Sequence, residues 1–273
     1  MEASNPITGY APSSGAKLYF EMCGEGPALV FIHAGVSDYR MWDPQVGAFA
    51  SRYQVVRYDH RGFGKSTFPE ESFALRDDLL SVLRHLSIAK AALVGCSMGG
   101  STAIDFTLEH PEMVTALVPI GAGVSGWNDW SPESVNLFNE LMGLVKKGDA
   151  KAAFELSAHY WIDGPSREAS RVDPKYRERA LQLCKENFSL EFFQRAETIL
   201  NPPAIQRLKE IECPTMVVIG ASDAQDLRKI AQHLQREIAG ATMATIENAA
   251  HLPSLEHPAQ FNRLLQTFLA PLR

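Results

Sequence analysis

Ser97 stands in Gly95-Cys96-Ser97-Met98-Gly99, after a branched apolar run, Ala91 to Val94, and before a helix-like run, Gly100 to Glu109. That context predicts a hydroxyl held on a strand-to-helix turn. Glycines two residues to either side keep side chains out of the sharp bend and leave the oxygen exposed at a sheet edge. The pattern alone is weak, and the flanks carry its weight. A serine hydroxyl is a poor nucleophile near neutral pH. It needs an imidazole to take its proton and a carboxylate to hold that imidazole in the right tautomer. Asp223 follows the apolar run Met216 to Ile219 in Gly220-Ala221-Ser222-Asp223, which puts a carboxylate at the carboxyl end of a strand. His251 follows the run Met243 to Ile246 through the small-residue loop Asn248-Ala249-Ala250. Asp226 is a second acid candidate, and its place at the start of the next helix favours an N-cap role.

These residues need a scaffold that brings strand ends together. Lys17 to Met22 and Ala28 to Ile32 read as strands joined by the glycine-rich turn Cys23 to Pro27, an opening hairpin. Asp43-Pro44 reads as a helix start, with the aspartate as N-cap and the proline at the first helical position. Val55 to Tyr58 is the next strand. Leu79, Val82, Leu83 and Leu86 form an apolar face at helical spacing before the strand Ala91 to Val94. The rhythm continues with strand Ala116 to Ile120, strand Thr215 to Ile219, a helix over about Leu227 to Leu234, strand Met243 to Ile246 and a last helix after Pro258. Alternation of this kind predicts an α/β chain built on a doubly wound, mostly parallel sheet. Residues 122–200 interrupt it with helical stretches carrying Phe138, Leu141, Val145, Phe154, Leu156, Leu181, Phe192 and Phe193. Gly164-Pro165 and Asp173-Pro174 break that insertion into short helices. The expected division is a core of residues 1–121 and 201–273 with a helical cap over 122–200.

A length of 273 residues and a hydrophobic content of 45% fit one large domain with a sizeable core. The formal net charge of -6 gives no general attraction to nucleic acid or to an anionic membrane, so neither is an expected partner. Met1 to Gly15 lacks the basic start and apolar centre of a signal peptide, and no later run is long enough to span a bilayer, which makes the cytoplasm the default compartment. Cys23, Cys96, Cys184 and Cys213 are scattered, as expected of free thiols.

The chain resembles the α/β-hydrolase family from about Lys17 to Leu269. Phe31-Ile32-His33-Ala34-Gly35 is similar to the family's oxyanion loop, and Tyr58 to Ser66 to its D-x-R-G-x-G-x-S loop. Gly220 to Asp223 is similar to its acid turn, and His251 to Pro258 to its terminal histidine segment. The insertion falls where family members carry a lid. The resemblance implies Ser97 as nucleophile, His251 as general base and then acid, and Asp223, ahead of Asp226, as the orienting carboxylate. It implies the backbone amides of Gly35 and Met98 as the oxyanion hole. Family members usually have glycine directly after the loop histidine. Here Ala34 precedes Gly35, which leaves open which amide points inward. His33 is expected to shape its loop, and Asp59 and Arg61 to bridge backbone within theirs.

Two nucleotide-like motifs mislead. Gly64-Lys65-Ser66 resembles the end of a P-loop, but Asp59 occupies the position of the required first glycine. Gly121 to Gly126 satisfies G-x-G-x-x-G after a strand, but Trp127 to Pro132 does not open a helix at once, so it reads as the exit into the cap. No cofactor and no metal are implied. Trp127, Trp130 and Trp161, with Tyr160, are candidates to line a pocket for a small, uncharged, partly hydrophobic substrate, or to pack cap helices together. The expected activity is hydrolysis of a carboxylic ester or lactone through an acyl-enzyme on Ser97. The alternatives are a carbon-carbon bond hydrolase or enol-lactonase of aromatic degradation, cofactor-free perhydrolysis, or a low-turnover ligand sensor. Oligomeric state is not legible.

Overall fold

A computed structural model of the chain describes residues 6–69, 72–190 and 197–272. Its strands are β1 (Ile7–Ser13), β2 (Ala16–Cys23), β3 (Ala28–Ile32), β4 (Gln54–Tyr58), β5 (Ala91–Cys96), β6 (Val114–Ile120), β7 (Met216–Gly220) and β8 (Thr242–Ile246). They form one sheet in the order β1-β2-β4-β3-β5-β6-β7-β8. β2 runs antiparallel to β1 and β4, and the pairings from β4 through β8 are parallel.

Along β3 the side chains alternate between two cores. Val30 and Ile32 pack toward α2 (Leu75–His85), α3 (Met98–Glu109) and α7 (Gln225–Glu237). Leu29 and Phe31 face α1 (Asp43–Phe49) and α9 (Pro258–Leu269), beside α8 (Pro253–Glu256). Helices on both faces bury a parallel strand completely, which is why these strands read as continuous apolar runs. The α/β expectation holds.

Three local expectations are corrected. β2 and β3 are not a hairpin, because β4 lies between them and pairs with both. β3 is buried at every residue and belongs inside the sheet, whereas β2 ends in partly exposed residues nearer the edge. The hairpin partner of β2 is β1, which sequence reading missed. As an edge strand it buries only Ala11 and Ser13 and carries Pro12 where a ladder hydrogen bond can be spared. Asp43 is not an N-cap. It is the first residue of α1, and its carboxylate is taken by Arg57 at 2.5 Å and Arg179 at 3.0 Å.

Between β6 and β7 come α4 (Pro132–Lys147), α5 (Ala150–Ala158) and α6 (Pro174–Asn187). Each opens on a side-chain cap: Ser131 accepts from the Ser134 amide, Asp149 from Ala152 and Asp173 from Tyr176. Gly148, in the left-handed conformation at φ 70°, ends α4. Phe192 and Phe193 lie outside the described residues. Among the described residues no helix is long and apolar enough to cross a membrane.

Candidate active site

β5 ends at Cys96 and α3 begins at Met98, so Ser97 makes the whole turn, at φ 54° and ψ −116°. A non-glycine residue there carries strain of about 1–3 kcal/mol and persists only where its surroundings hold it. The Ser97 amide donates to Ile120 O at 2.8 Å, and Ser97 O accepts from the Ser101 amide at 2.9 Å. The flanking glycines are a steric requirement: a Cβ on Gly95 would fall on the Gly99 carbonyl, and one on Gly99 would fall on Ile32 O. The first amides of α3, starting with that of Met98, have no acceptor within the helix.

The loop after β3 meets that helix start. His33 is fully buried, with Nδ1 donating to Ala34 O at 2.8 Å and Nε2 accepting from the His60 amide at 2.9 Å. Those bonds fix a neutral tautomer, and burial pushes its pKa down to about 4. His33 therefore shapes the loop. The Ala34 amide is directed to Met41 Sδ at 3.3 Å. Gly35 faces Met98, whose Sδ would lie 3.6 Å from a Cβ placed there. Of the two loop amides left open by the sequence, that of Ala34 is engaged by Met41 of the helical turn Tyr39–Trp42.

Asp223 and His251 are brought together. Nδ1 of His251 lies 3.0 Å from Oδ2 and 3.1 Å from Oδ1 of Asp223, both side chains being buried. The Ala224 amide donates to Asp223 Oδ1 at 2.8 Å. Both residues follow parallel strands, β7 and β8, at the sheet edge where Ser97 follows β5. Cys96 Sγ contacts His251 O at 3.5 Å, tying the histidine loop to the serine turn. Among the described residues no hydrogen bond joins the Ser97 hydroxyl to the ring, as is common before substrate binds.

Asp226 is neither part of that pair nor an N-cap; α7 is preceded by Ala224. Asp226 Oδ2 instead accepts from the Ser131 amide at 3.0 Å and hydroxyl at 2.6 Å, anchoring the start of α4. The ring of Trp161 lies 4.5 Å from that of His251. Trp161 and Trp130 also line a cavity of about 510 Å³ between α4, α5 and the start of α7. Trp127 does not line it. Its ring packs on His233 at 5.5 Å, and its indole N–H donates to Asp129 O.

Residues 27–258 match the family model described as alpha/beta hydrolase fold. The chain belongs to that family. It is 25% identical over 253 residues to 3-oxoadipate enol-lactonase 1 of Acinetobacter baylyi, covering 90% of each chain. It is 29% identical over 272 residues to the 2-hydroxy-6-oxononadienedioate/2-hydroxy-6-oxononatrienedioate hydrolase of Escherichia coli K12, covering 93% of this chain and 91% of the relative. Among solved structures it is similar to Est816, described as an N-acyl homoserine lactone degrading enzyme. That match has a TM-score of 0.80 at 27% identity, covering 95% of this chain and 99% of the other.

In this hydrolase-family chain several residues around the Asp223–His251 pair were not singled out from the sequence. Gly121, at φ 49°, sits against it: a Cβ there would lie 2.9 Å from Asp223 Oδ2 and 3.2 Å from His251 Nδ1. That gives the first glycine of the nucleotide-like motif a packing reason. Glu256 Oε2 accepts from the Ala250 amide at 2.9 Å, directly before His251, and Arg167 of the insertion pairs with Glu256 at 2.7 Å while donating to Asn248 O. The only sequence signal for Glu256 was its place in the terminal histidine segment. In the other loop Asp59 bridges backbone as expected, accepting from the Tyr39 and Lys65 amides at 2.9 Å. Burial pushes its carboxyl up to about 7, those two bonds opposing the shift. Arg61 does not bridge backbone. It pairs with buried Asp78 at 2.5 Å.

Proposed function

We propose that the protein is a serine hydrolase cleaving a carboxylic ester or lactone through an acyl-enzyme on Ser97. The observation that carries this reading is the buried Asp223–His251 pair at the edge where Ser97 sits on a strained strand-to-helix turn. In this mechanism Asp223 accepts from Nδ1–H of His251 and so leaves Nε2 free to take the Ser97 proton as Oγ attacks the carbonyl carbon. The oxyanion accepts from the Gly35 and Met98 amides, each donor contributing about 3 kcal/mol to the transition state. The imidazolium returns its proton to the departing alkoxide. A water, deprotonated by the same ring, then attacks the acyl carbon, and Ser97 leaves with the proton.

Residues 122–200 act as a cap over the 1–121 and 201–273 core, with Trp161 and Trp130 on the substrate side. Ester and lactone cleavage agree with the names of the enol-lactonase and Est816 relatives. A second reading uses the same three residues to cleave a carbon-carbon bond, which the name of the Escherichia coli relative supports. Product analysis of a dienedioate ring-cleavage compound against a simple aryl ester separates the two. Ser97→Ala is expected to lower turnover by about 10⁴- to 10⁶-fold with an unchanged circular dichroism spectrum. Retained hydrolysis by the pure variant would rule this mechanism out.

A further inference from the structure

The cavity between α4, α5 and α7 shares two pieces of wall with the residues just described. Trp161 lies against the His251 ring, and Ala224 follows Asp223. The indole of Trp161 thus stands between the His251 ring and the cavity. The lining is largely apolar, its polar groups being Ser134, Ser157, Tyr160 and Asp226. Leu137, Leu141, Leu156 and Leu227 supply aliphatic wall, and no cationic side chain is among the described residues that line it. Its one charged group is the Asp226 carboxylate, already tied to Ser131. At the rim Trp130 and Phe138 remain 46% and 60% exposed, an apolar approach to an apolar space.

We propose that this cavity holds the acyl portion of the substrate and that this portion is an uncharged, mainly aliphatic chain. The inference rests on Ser97 chemistry. The volume of about 510 Å³ lies within the range of pockets that enclose whole small molecules. A terminal carboxylate there would be desolvated beside Asp226, and the nearby Lys229 ammonium lies outside the lining, 3.7 Å from the Asp226 carboxylate; an alkyl end avoids that penalty. The cavity thus sets this chain apart from relatives whose names specify a dienedioate, a doubly charged acid, or an oxoadipate lactone, which keeps one free carboxylate.

The test is a p-nitrophenyl ester series from acetate to octanoate, with the mono-ester of adipic acid as the charged comparator. The expected kcat/KM rises about three- to fourfold per added methylene until the cavity is filled. The adipate mono-ester falls at least about 100-fold below hexanoate, its uncharged equivalent in length. Leu156→Trp, which narrows the cavity from its wall, lowers the octanoate-to-acetate ratio of kcat/KM by about tenfold or more. A thermal melt establishes that the variant is folded, and if it does not fold the wild-type series decides alone. A flat chain-length profile, equal turnover of the charged ester, or an unchanged ratio in folded Leu156→Trp overturns the proposal. Running Ser97→Ala on the same panel keeps the two readings apart. Hydrolysis surviving that substitution defeats the mechanism, whereas Ser97-dependent hydrolysis with no chain preference defeats only the cavity assignment.

Discussion

The sheet edge and the inserted helices solve opposite problems. At the edge, Gly95, Gly99 and Gly121 each stand where a single added carbon meets backbone or the Asp223–His251 pair. Ser97 is held off the usual backbone conformations by hydrogen bonds on both sides. The insertion is packed differently on its two flanks. α6 is tied to the core by Glu186 to Arg40, Asn187 to Asp38 and Arg179 to Asp43. α4 is fastened near its start, through Ser131 to Asp226, and leaves Val135 and Phe138 open to solvent. Rigid geometry is concentrated where bonds would be made and broken, and tolerance where a substrate chain would be chosen. Mutations at the edge should therefore cost turnover, and mutations on α4 should cost selectivity.

That contrast can be broken most decisively at Asp223. Asp223→Asn turns an acceptor into a donor toward Nδ1, so the ring presents a proton to Ser97 in place of a lone pair. A fall of about 10⁴-fold in kcat with an unchanged melting temperature is expected from steady-state assays. A fall below tenfold would mean that the pair only holds the loop.

The next largest effect is on stability. The folded pKa of His33 is lowered to about 4 from an ordinary 6.5, so the unfolded chain binds the extra proton first as pH falls. Stability is full above about 6.5 and is lost progressively down to about 4. Urea unfolding is expected to show about 2 kcal/mol less stability at pH 5 than at pH 7.5 from this residue, and burial of His60 acts in the same direction. Asp59 and Asp105, whose carboxyls burial pushes up to about 7 and about 6, act in the opposite direction over this range, so the His33 share is read as the pH dependence lost in His33→Gln; a variant whose pH dependence matches that of the unchanged chain would mean the ring is not held neutral.

The smallest effect sharpens the comparison at its seam. Glu256 supports the amide before His251 and is itself paired with Arg167 from the insertion. Glu256→Gln keeps an acceptor for the amide but loses the charge. It is expected to lower kcat by about tenfold with KM within twofold, and to shift the acid limb of the kcat–pH profile, which a purely structural role would leave in place.

Legibility from sequence follows the same division. Ser97, Asp223 and His251 could be put forward from the sequence because each follows an apolar run, buried throughout in β5 and β7 and only at Ile246 in β8, and is set off by small residues, a pattern local in the chain. β1 was not, because an edge strand with one buried face and a proline carries little periodic signal. Asp226 was misassigned because its partner, Ser131, lies in an insertion whose path no spacing rule gives. Trp127 was grouped with Trp130 by proximity in sequence, yet Gly126, at φ 86°, turns the chain between the strand exit and α4, and the Trp127 indole ends on His233. The Ala34 amide meets a sulfur from the helical turn Tyr39–Trp42, again a contact across elements that no local spacing gives.

Gly121 also bears on how this scaffold can be rebuilt. From it through Gly126 the chain stays packed on the core, with Ala122 and Val124 buried and Ser125 bonded to the Ala204 and Ile205 amides, so a chimaera that exchanges lids should place its upstream junction beyond Gly126. Its grafted segment must also bring a guanidinium to the position of Arg167, or Glu256 is left as a lone buried anion next to the histidine loop.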